Sequence, residues 1–211
     1  MKYSHLILDF DKTLYPEDSP LVEKIREHII GYFYQELNID KQEALRFMKY
    51  YMSTYESILT GLVVERKIDP KKFMKEVFGF NAEDYVAPNP DLRKMLSDFP
   101  QIKKVIFSNS PNEYIKRVIS KIGIEDCIHC VYGRDDLDYF SKPDPRAYEI
   151  FSSFIGTNPV ECIMVDDKKV NLKQAKNFGW STVYLSKSNN EGYPYIDHQI
   201  GDIFELRKIL A

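Results

Sequence analysis

A mostly apolar run, His5-Leu6-Ile7-Leu8, leads straight into Asp9-Phe10-Asp11-Lys12-Thr13. A run this short, ending at an acid, reads as a buried strand. Asp9 and Asp11 stand two residues apart, so both side chains can share one side at the strand's C-terminal end. In an open parallel sheet that edge is where ligands bind. Two carboxylates in one small space repel unless something positive lies between them. Magnesium suits such a place, because it takes a few carboxylate oxygens and keeps several waters. Aspartate is also a common turn residue, so a solvated acidic turn fits the same residues. The rest of the chain has to decide.

Beyond Thr13 the period changes from strand to helix. Leu21, Ile25, Ile29, Tyr32 or Phe33 and Leu37 recur at helical spacing. Asp40 with Glu43 reads as a capping box for a second helix through Ala44, Phe47, Met48 and Tyr51. A third helical stretch covers residues 57–64, and Asp69-Pro70 opens a fourth through Phe73 and Val77. Residues 15–85 are therefore expected to form a helical block. Its many aromatic residues, Tyr32, Phe33, Tyr34, Phe47, Tyr50, Tyr51 and Tyr55, read as the core of a small bundle.

After Val86-Ala87-Pro88-Asn89-Pro90 the pattern alternates. A helix over residues 91–99 precedes the strand Lys104-Val105-Ile106-Phe107, which ends in Ser108-Asn109-Ser110. Ser110, Pro111 and Glu113 read as N-cap, first helical residue and capping-box glutamate of the next helix. A third strand is expected over residues 127–132, followed by a loop with Arg134, Asp135, Asp136 and Asp138. Ser141-Lys142-Pro143 leads into a helix that starts at Asp144-Pro145, the prolines stiffening the backbone beside Lys142. A fourth strand over residues 161–165 ends in Asp166-Asp167, and its helix stops at Gly179. A fifth strand covers residues 181–185, an edge strand residues 195–200, and Asp202 with Glu205 caps a last helix.

Strands alternating with helices imply an α/β fold with a parallel sheet and right-handed crossovers. Four strand ends then bring Asp9 and Asp11, Ser108 and Asn109, Lys142, and Asp166 and Asp167 to one rim. That combination offers a cation site, an anion site at a helix N-terminus, and a fixed positive charge.

The order of these motifs resembles the haloacid dehalogenase (HAD) superfamily. Asp9-Phe10-Asp11-Lys12-Thr13 is similar to its first motif, Ser108 to its second, Lys142 to its third and Asp166-Asp167 to its fourth. The resemblance implies a Rossmann-like core from residues 1–14 and 86–211, with residues 15–85 as an inserted helical cap of the C1 type. Asp11-Lys12-Thr13-Leu14-Tyr15-Pro16, Tyr50-Tyr51, Gly61-Leu62, Ile68-Asp69-Pro70 and Val165-Asp166-Asp167 with Asn171 further resemble the pyrimidine 5′-nucleotidase branch.

The resemblance implies a phosphomonoester hydrolase with Asp9 as nucleophile and Asp11 as acid and base. Magnesium is expected on Asp9, the backbone carbonyl of Asp11 and Asp167, with Asp166 close by or one layer behind. Ser108, Asn109 and Lys142 are expected to hold phosphoryl oxygens. Asn171 would orient the metal ligands, with Thr13 supporting Asp9. A nucleoside 5′-monophosphate is the expected substrate. Phosphoglycolate, a sugar phosphate, a phosphomutase reaction and a catalytically silent binding role stay as alternatives. Lys12, in a place where the branch often has a neutral residue, is expected to point away from the acids. The resemblance does not define substrate recognition around Ser110 and Arg134.

The net charge of −3 offers nothing to a nucleic-acid polymer or an anionic membrane. No stretch approaches the about eighteen apolar residues of a membrane helix. With no basic leader segment ahead of the first strand, a cytosolic protein is expected, as monomer or homodimer. Cys127, Cys130 and Cys162 make no second CxxC pair, so buried, inert thiols are expected rather than a zinc site.

Overall fold

The computed structural model describes residues 2–188 and 192–211. Its centre is β1 (His5–Leu8), buried along its whole length. Strand order is β3-β2-β1-β4-β5-β6, with every pairing parallel. The other strands are β2 (Lys103–Phe107), β3 (Cys130–Tyr132), β4 (Cys162–Asp166), β5 (Ser181–Leu185) and β6 (His198–Ile200). Leu8 pairs with Ile106 on one side and Val165 on the other, so three strand ends lie abreast. The sheet order reverses at β1, and this is the crevice where open α/β sheets bind ligands.

The strands are apolar in consecutive positions because both faces are covered. Leu6, Leu8, Ile106, Ile163 and Val165 belong to one core layer. There α5 (Pro90–Ser97) and α6 (Asn112–Ile122) bury Leu92, Met95, Leu96, Tyr114, Ile115, Val118, Ile119 and Ile122. Ile7, Val105, Phe107, Cys162 and Met164 face the other layer. That layer is closed by α7 (Pro145–Ile155), α8 (Lys169–Asn177) and Trp180. Here Phe107 stacks on Phe151 at 4.3 Å between ring centroids.

The third core lies within the helical block, among α1 (Pro20–Leu37), α2 (Lys41–Tyr55), α3 (Ile58–Arg66) and α4 (Pro70–Phe78). Side chains of Ser19, Asp40, Ser57 and Asp69 cap the four N-termini. Tyr32, Phe33 and Tyr51 are buried as expected, whereas Tyr34 and Tyr50 face solvent. No helix among the described residues is long and apolar enough to cross a membrane.

Several sequence-based boundaries shift, three of them for reasons the hydrogen bonds show. β3 starts at Cys130 rather than Cys127, because the N–H groups of Cys127 and Ile128 bond backward in a short 3-10 turn. β6 starts at His198, because Tyr195 and Asp197 are held by the Thr182 side chain and backbone instead of a ladder. The predicted Ser110 cap is absent: α6 begins after Pro111, and Asp135 accepts the Asn112 N–H at 2.9 Å. The final helix α9 (Arg207–Leu210) follows a 3-10 turn capped by Asp202. Cys162 is buried, but Cys127 and Cys130 are only half-buried, so two of the three thiols are less enclosed than expected.

Gly61 lets α3 approach α2. A Cβ there would lie 2.3 Å from the ring of fully buried Tyr51. Gly61→Ala should lower the urea unfolding free energy by about 1–3 kcal/mol through overpacking. An unchanged midpoint would mean that the two helices are not packed this closely.

Candidate active site

Asp9 leaves the end of β1 with its backbone N–H on the carbonyl of Val165 at 2.9 Å. Its side chain is almost fully buried. The Thr13 hydroxyl donates to Asp9 Oδ2 at 3.0 Å, and the Lys142 ammonium donates to Oδ1 at 2.7 Å. Both oxygens are therefore fixed. Thr13 reaches back because the chain after Phe10 turns tightly, with the N–H groups of Thr13 and Leu14 on the Phe10 carbonyl. Lys12 takes a left-handed conformation in this turn, φ 66°, and pairs with Glu17 at 2.6 Å. Its ammonium makes no ion pair with Asp9 or Asp11 among the described residues, while its charge reaches Asp167.

Lys142 also donates to Asp166 Oδ2 at 2.8 Å, and its ammonium lies 5.2 Å from the centre of the Phe107 ring. Burial works against its charge, but Asp166 and Asp9 outweigh that and hold the ammonium above the ordinary lysine range. Asn109 also holds the lysine loop. Its amide donates to the Lys142 carbonyl at 3.0 Å and accepts the Lys142 N–H at 2.8 Å. These two bonds latch the backbone of the lysine. Ser108 is buried, and its oxygen accepts the Ser110 N–H at 3.1 Å, which leaves its own proton to donate.

Asp166 is fully buried at the end of β4. Its oxygens accept from Lys142, the Lys168 N–H and Asn171 Nδ2, all at 2.8–2.9 Å. Asp167 is half-buried and has no side-chain hydrogen-bond partner among the described residues. Oxygens of Asp9, Asp166 and Asp167 lie within 4.8 Å of one another. Three carboxylates against one ammonium leave two negative charges when all are ionised. Burial, and then the charges of Asp9 and Asp166, push Asp167 up to about 7. Burial likewise raises Asp166, against the pull of Lys142. The Oδ1 atom of Asn171 is buried without a partner. An all-oxygen cluster with two excess charges and an orphaned acceptor fits a small hard divalent cation.

The surroundings of Asp11 escaped sequence reasoning. Ser110 Oγ donates to Asp11 Oδ2 at 2.5 Å, the Tyr15 hydroxyl donates to Oδ1, and the Tyr114 hydroxyl lies 3.4 Å from Oδ1. Burial raises the Asp11 pKa and the nearby Asp9 charge adds to the rise, while the Ser110 and Tyr15 hydrogen bonds oppose it. Burial and the Asp11 charge lift both tyrosines, so the phenols stay neutral.

Arg134 was also missed as a structural centre. It is buried with no carboxylate at ion-pair distance among the described residues. Its guanidinium donates to the Tyr139 carbonyl at 2.9 Å, Ser57 Oγ at 2.9 Å and Thr60 Oγ1 at 2.8 Å. Thr60 in turn meets Ser141 at 3.2 Å. The loop that carries Lys142 is thereby tied to the start of α3. Burial lowers the Arg134 pKa to about 10. Gly133 makes the loop possible, since a Cβ there would lie 2.6 Å from both the Asn112 nitrogen and the Ser110 carbonyl oxygen.

The family model for haloacid dehalogenase-like hydrolases matches residues 6–185. The chain belongs to this family. A haloacid dehalogenase-like hydrolase structure with the whole architecture is the HAD phosphatase of Thermococcus onnurineus: TM-score 0.70, 23% identity, 99% of this chain and 98% of that one. The L-2-haloacid dehalogenase of Xanthobacter autotrophicus superposes with a TM-score of 0.65 at 16% identity, over 99% and 98% of the two chains. These likenesses concern the fold. Among curated haloacid dehalogenase-like relatives, an (S)-2-haloacid dehalogenase of Xanthobacter autotrophicus is 26% identical over 52% of this chain and 43% of its own length. A phosphoglycolate phosphatase of Vibrio vulnificus is 28% identical over 50% and 46%. The matched stretch thus spans less than half of each of these two relatives.

In EDTA, the Asp167 charge should destabilise the fold. The folded-state pKa is raised, so the native state holds the proton longer than the unfolded chain does. The cost is absent below the ordinary carboxylate range, grows as pH rises toward about 7, and is complete above it. Asp167→Asn should therefore exceed wild type in stability at about pH 8 in EDTA, with the gap closing toward about pH 4. Paired urea titrations read this directly, and a gap that widens on acidification would contradict the assignment.

Proposed function

We propose that the chain is a magnesium-dependent phosphomonoester hydrolase that works through an aspartyl phosphate, with residues 15–85 acting as the cap. The observation that carries the reading is a second carboxylate, Asp11, held in a hydroxyl cradle two residues beyond a nucleophile fixed at both oxygens. Displacement of halide needs no acid for its leaving group. An ester with an alcohol leaving group does.

In this reading Asp9 Oδ attacks phosphorus in line, and the P–O bond to the leaving oxygen breaks. Asp11 gives its proton to that oxygen and becomes a carboxylate. It then takes a proton from the water that attacks the phosphorus of the aspartyl phosphate, so Asp9 returns free and inorganic phosphate leaves. Lys142 and the Ser108 hydroxyl stabilise the phosphoryl oxygens as charge shifts onto them. Asp9, the Asp11 carbonyl and Asp167 would hold magnesium, with Asp166 and Asn171 fixing the ligands from behind. When bound, the ion lets carboxylate and phosphate approach each other against their mutual repulsion.

The substrate class we favour is the nucleoside 5′-monophosphates, pyrimidine first, on the resemblance of Asp11 to Pro16 and the paired cap motifs to that branch. Phosphoglycolate is the second reading, favoured by the phosphoglycolate phosphatase among the relatives.

Phosphate release from UMP, CMP, AMP, phosphoglycolate, a sugar phosphate and 4-nitrophenyl phosphate, with magnesium or EDTA, tests the reading. Turnover should require the metal and fall by roughly 10⁴-fold or more in Asp9→Asn. A preference for phosphoglycolate would keep the chemistry and replace the nucleotide. Release that survives Asp9→Asn would overturn the reading.

A further inference from the structure

Asp11 is gripped on both oxygens by groups that come from two separate stretches of the chain. Tyr15 stands four residues on, where the chain leaves the sheet for the helical block. Ser110 follows β2, and Tyr114 lies in the first turn of α6. The two phenol oxygens are 3.2 Å apart. Neither ring is free to drift. Phe10 meets Tyr15 edge-on at 5.4 Å and Tyr114 edge-on at 5.8 Å. Phe78, the last residue of α4, packs on Tyr114 at 4.9 Å, with Phe80 behind it at 6.5 Å. Both crossings between sheet and helical block therefore press on the pair.

A phenol both donates and accepts. Tyr15 donates to Asp11 Oδ1 and shares a hydrogen bond with Tyr114, while Ser110 donates to Oδ2. The carboxyl group is thus held at both oxygens, which fixes the plane of the group and the directions left open toward a substrate.

We propose that Tyr15 and Tyr114, with Ser110, are positioning residues that aim Asp11 at the leaving oxygen throughout the reaction. This rests on the phosphatase reading above. The pair meets the Asp11 carboxyl group rather than its carbonyl, and has no hydrogen bond to Asp9, Asp166 or Asp167 among the described residues, so its removal should matter most where the leaving oxygen needs a proton.

The full-length protein with magnesium tests this, as wild type, Tyr15→Phe and Tyr114→Phe. Each substitution keeps the ring and its packing. The probes are UMP and phenyl phosphate, whose leaving oxygens need protonation, and 4-nitrophenyl phosphate, whose leaving group departs as the anion. The readout is kcat/KM, which covers transfer to Asp9 and excludes the later attack by water. We expect both variants to lose about tenfold to a hundredfold on UMP and phenyl phosphate, and less than about twofold on 4-nitrophenyl phosphate. Equal losses on all three esters, or no loss on any, would overturn the proposal while leaving the phosphatase reading intact. A wild type that releases phosphate from none of them would overturn that reading and this proposal together.

Discussion

A lysine ammonium held between two buried carboxylates is the contact on which this structure depends. Lys142 reaches Asp9 at 2.7 Å and Asp166 at 2.8 Å, and all three side chains are almost fully buried. None of the three charges is tolerable there alone, and removing one partner of such a buried set costs about 3–5 kcal/mol. The lysine comes from a loop, so its position must be made. Asn109 makes it by holding the Lys142 backbone on both sides, while the Phe107 ring lies under the ammonium. The ends of β1, β2 and β4 have to lie abreast for this to close, which the register at Leu8 provides.

Around this contact the site divides in two. On one side lie carboxylates with more negative charge than the lysine cancels, which is the side suited to a cation. On the other side Asp11 is enclosed by hydroxyls that stay neutral. The same residue type thus sits in two environments, one suited to a cation and one to a carboxyl group that carries a proton, and the proposed roles follow that difference. Arg134 joins the sheet side to α3 through three neutral oxygens, so the helical block is tied to the loop of Lys142 rather than to the carboxylates themselves.

Much of this was legible in the chain because it is local. Consecutive apolar residues in β1, β2 and β4, with an acid or a hydroxyl at each end, announce buried parallel strands and their functional rim. Asp40 and Asp69 cap helices by reaching two or three residues forward, which a sequence pattern records. What was missed depends on partners far apart in the chain. Tyr114 meets Asp11 across 103 positions, and the Ser110 hydroxyl is drawn 99 positions away from the cap it was expected to form. The half-buried Asp11 carboxylate turns the Ser110 hydroxyl toward itself, and Asp135 accepts the Asn112 N–H instead. The Asn109 latch was missed for a similar reason: its amide matches the Lys142 backbone at both ends, across 33 positions. The start of β3 shifted because residues 125–127 close a 3-10 turn, which no hydrophobic period reveals.

The central claim is that Asp9 carries the phosphoryl group. Rapid acid quench of the protein during turnover of a ³²P-labelled ester, followed by peptide mapping, tests it most directly. The account predicts a label that hydroxylamine removes, located on the peptide holding Asp9 and lost in Asp9→Asn. Steady release of phosphate with no label on that peptide, or a label on another residue, would contradict it.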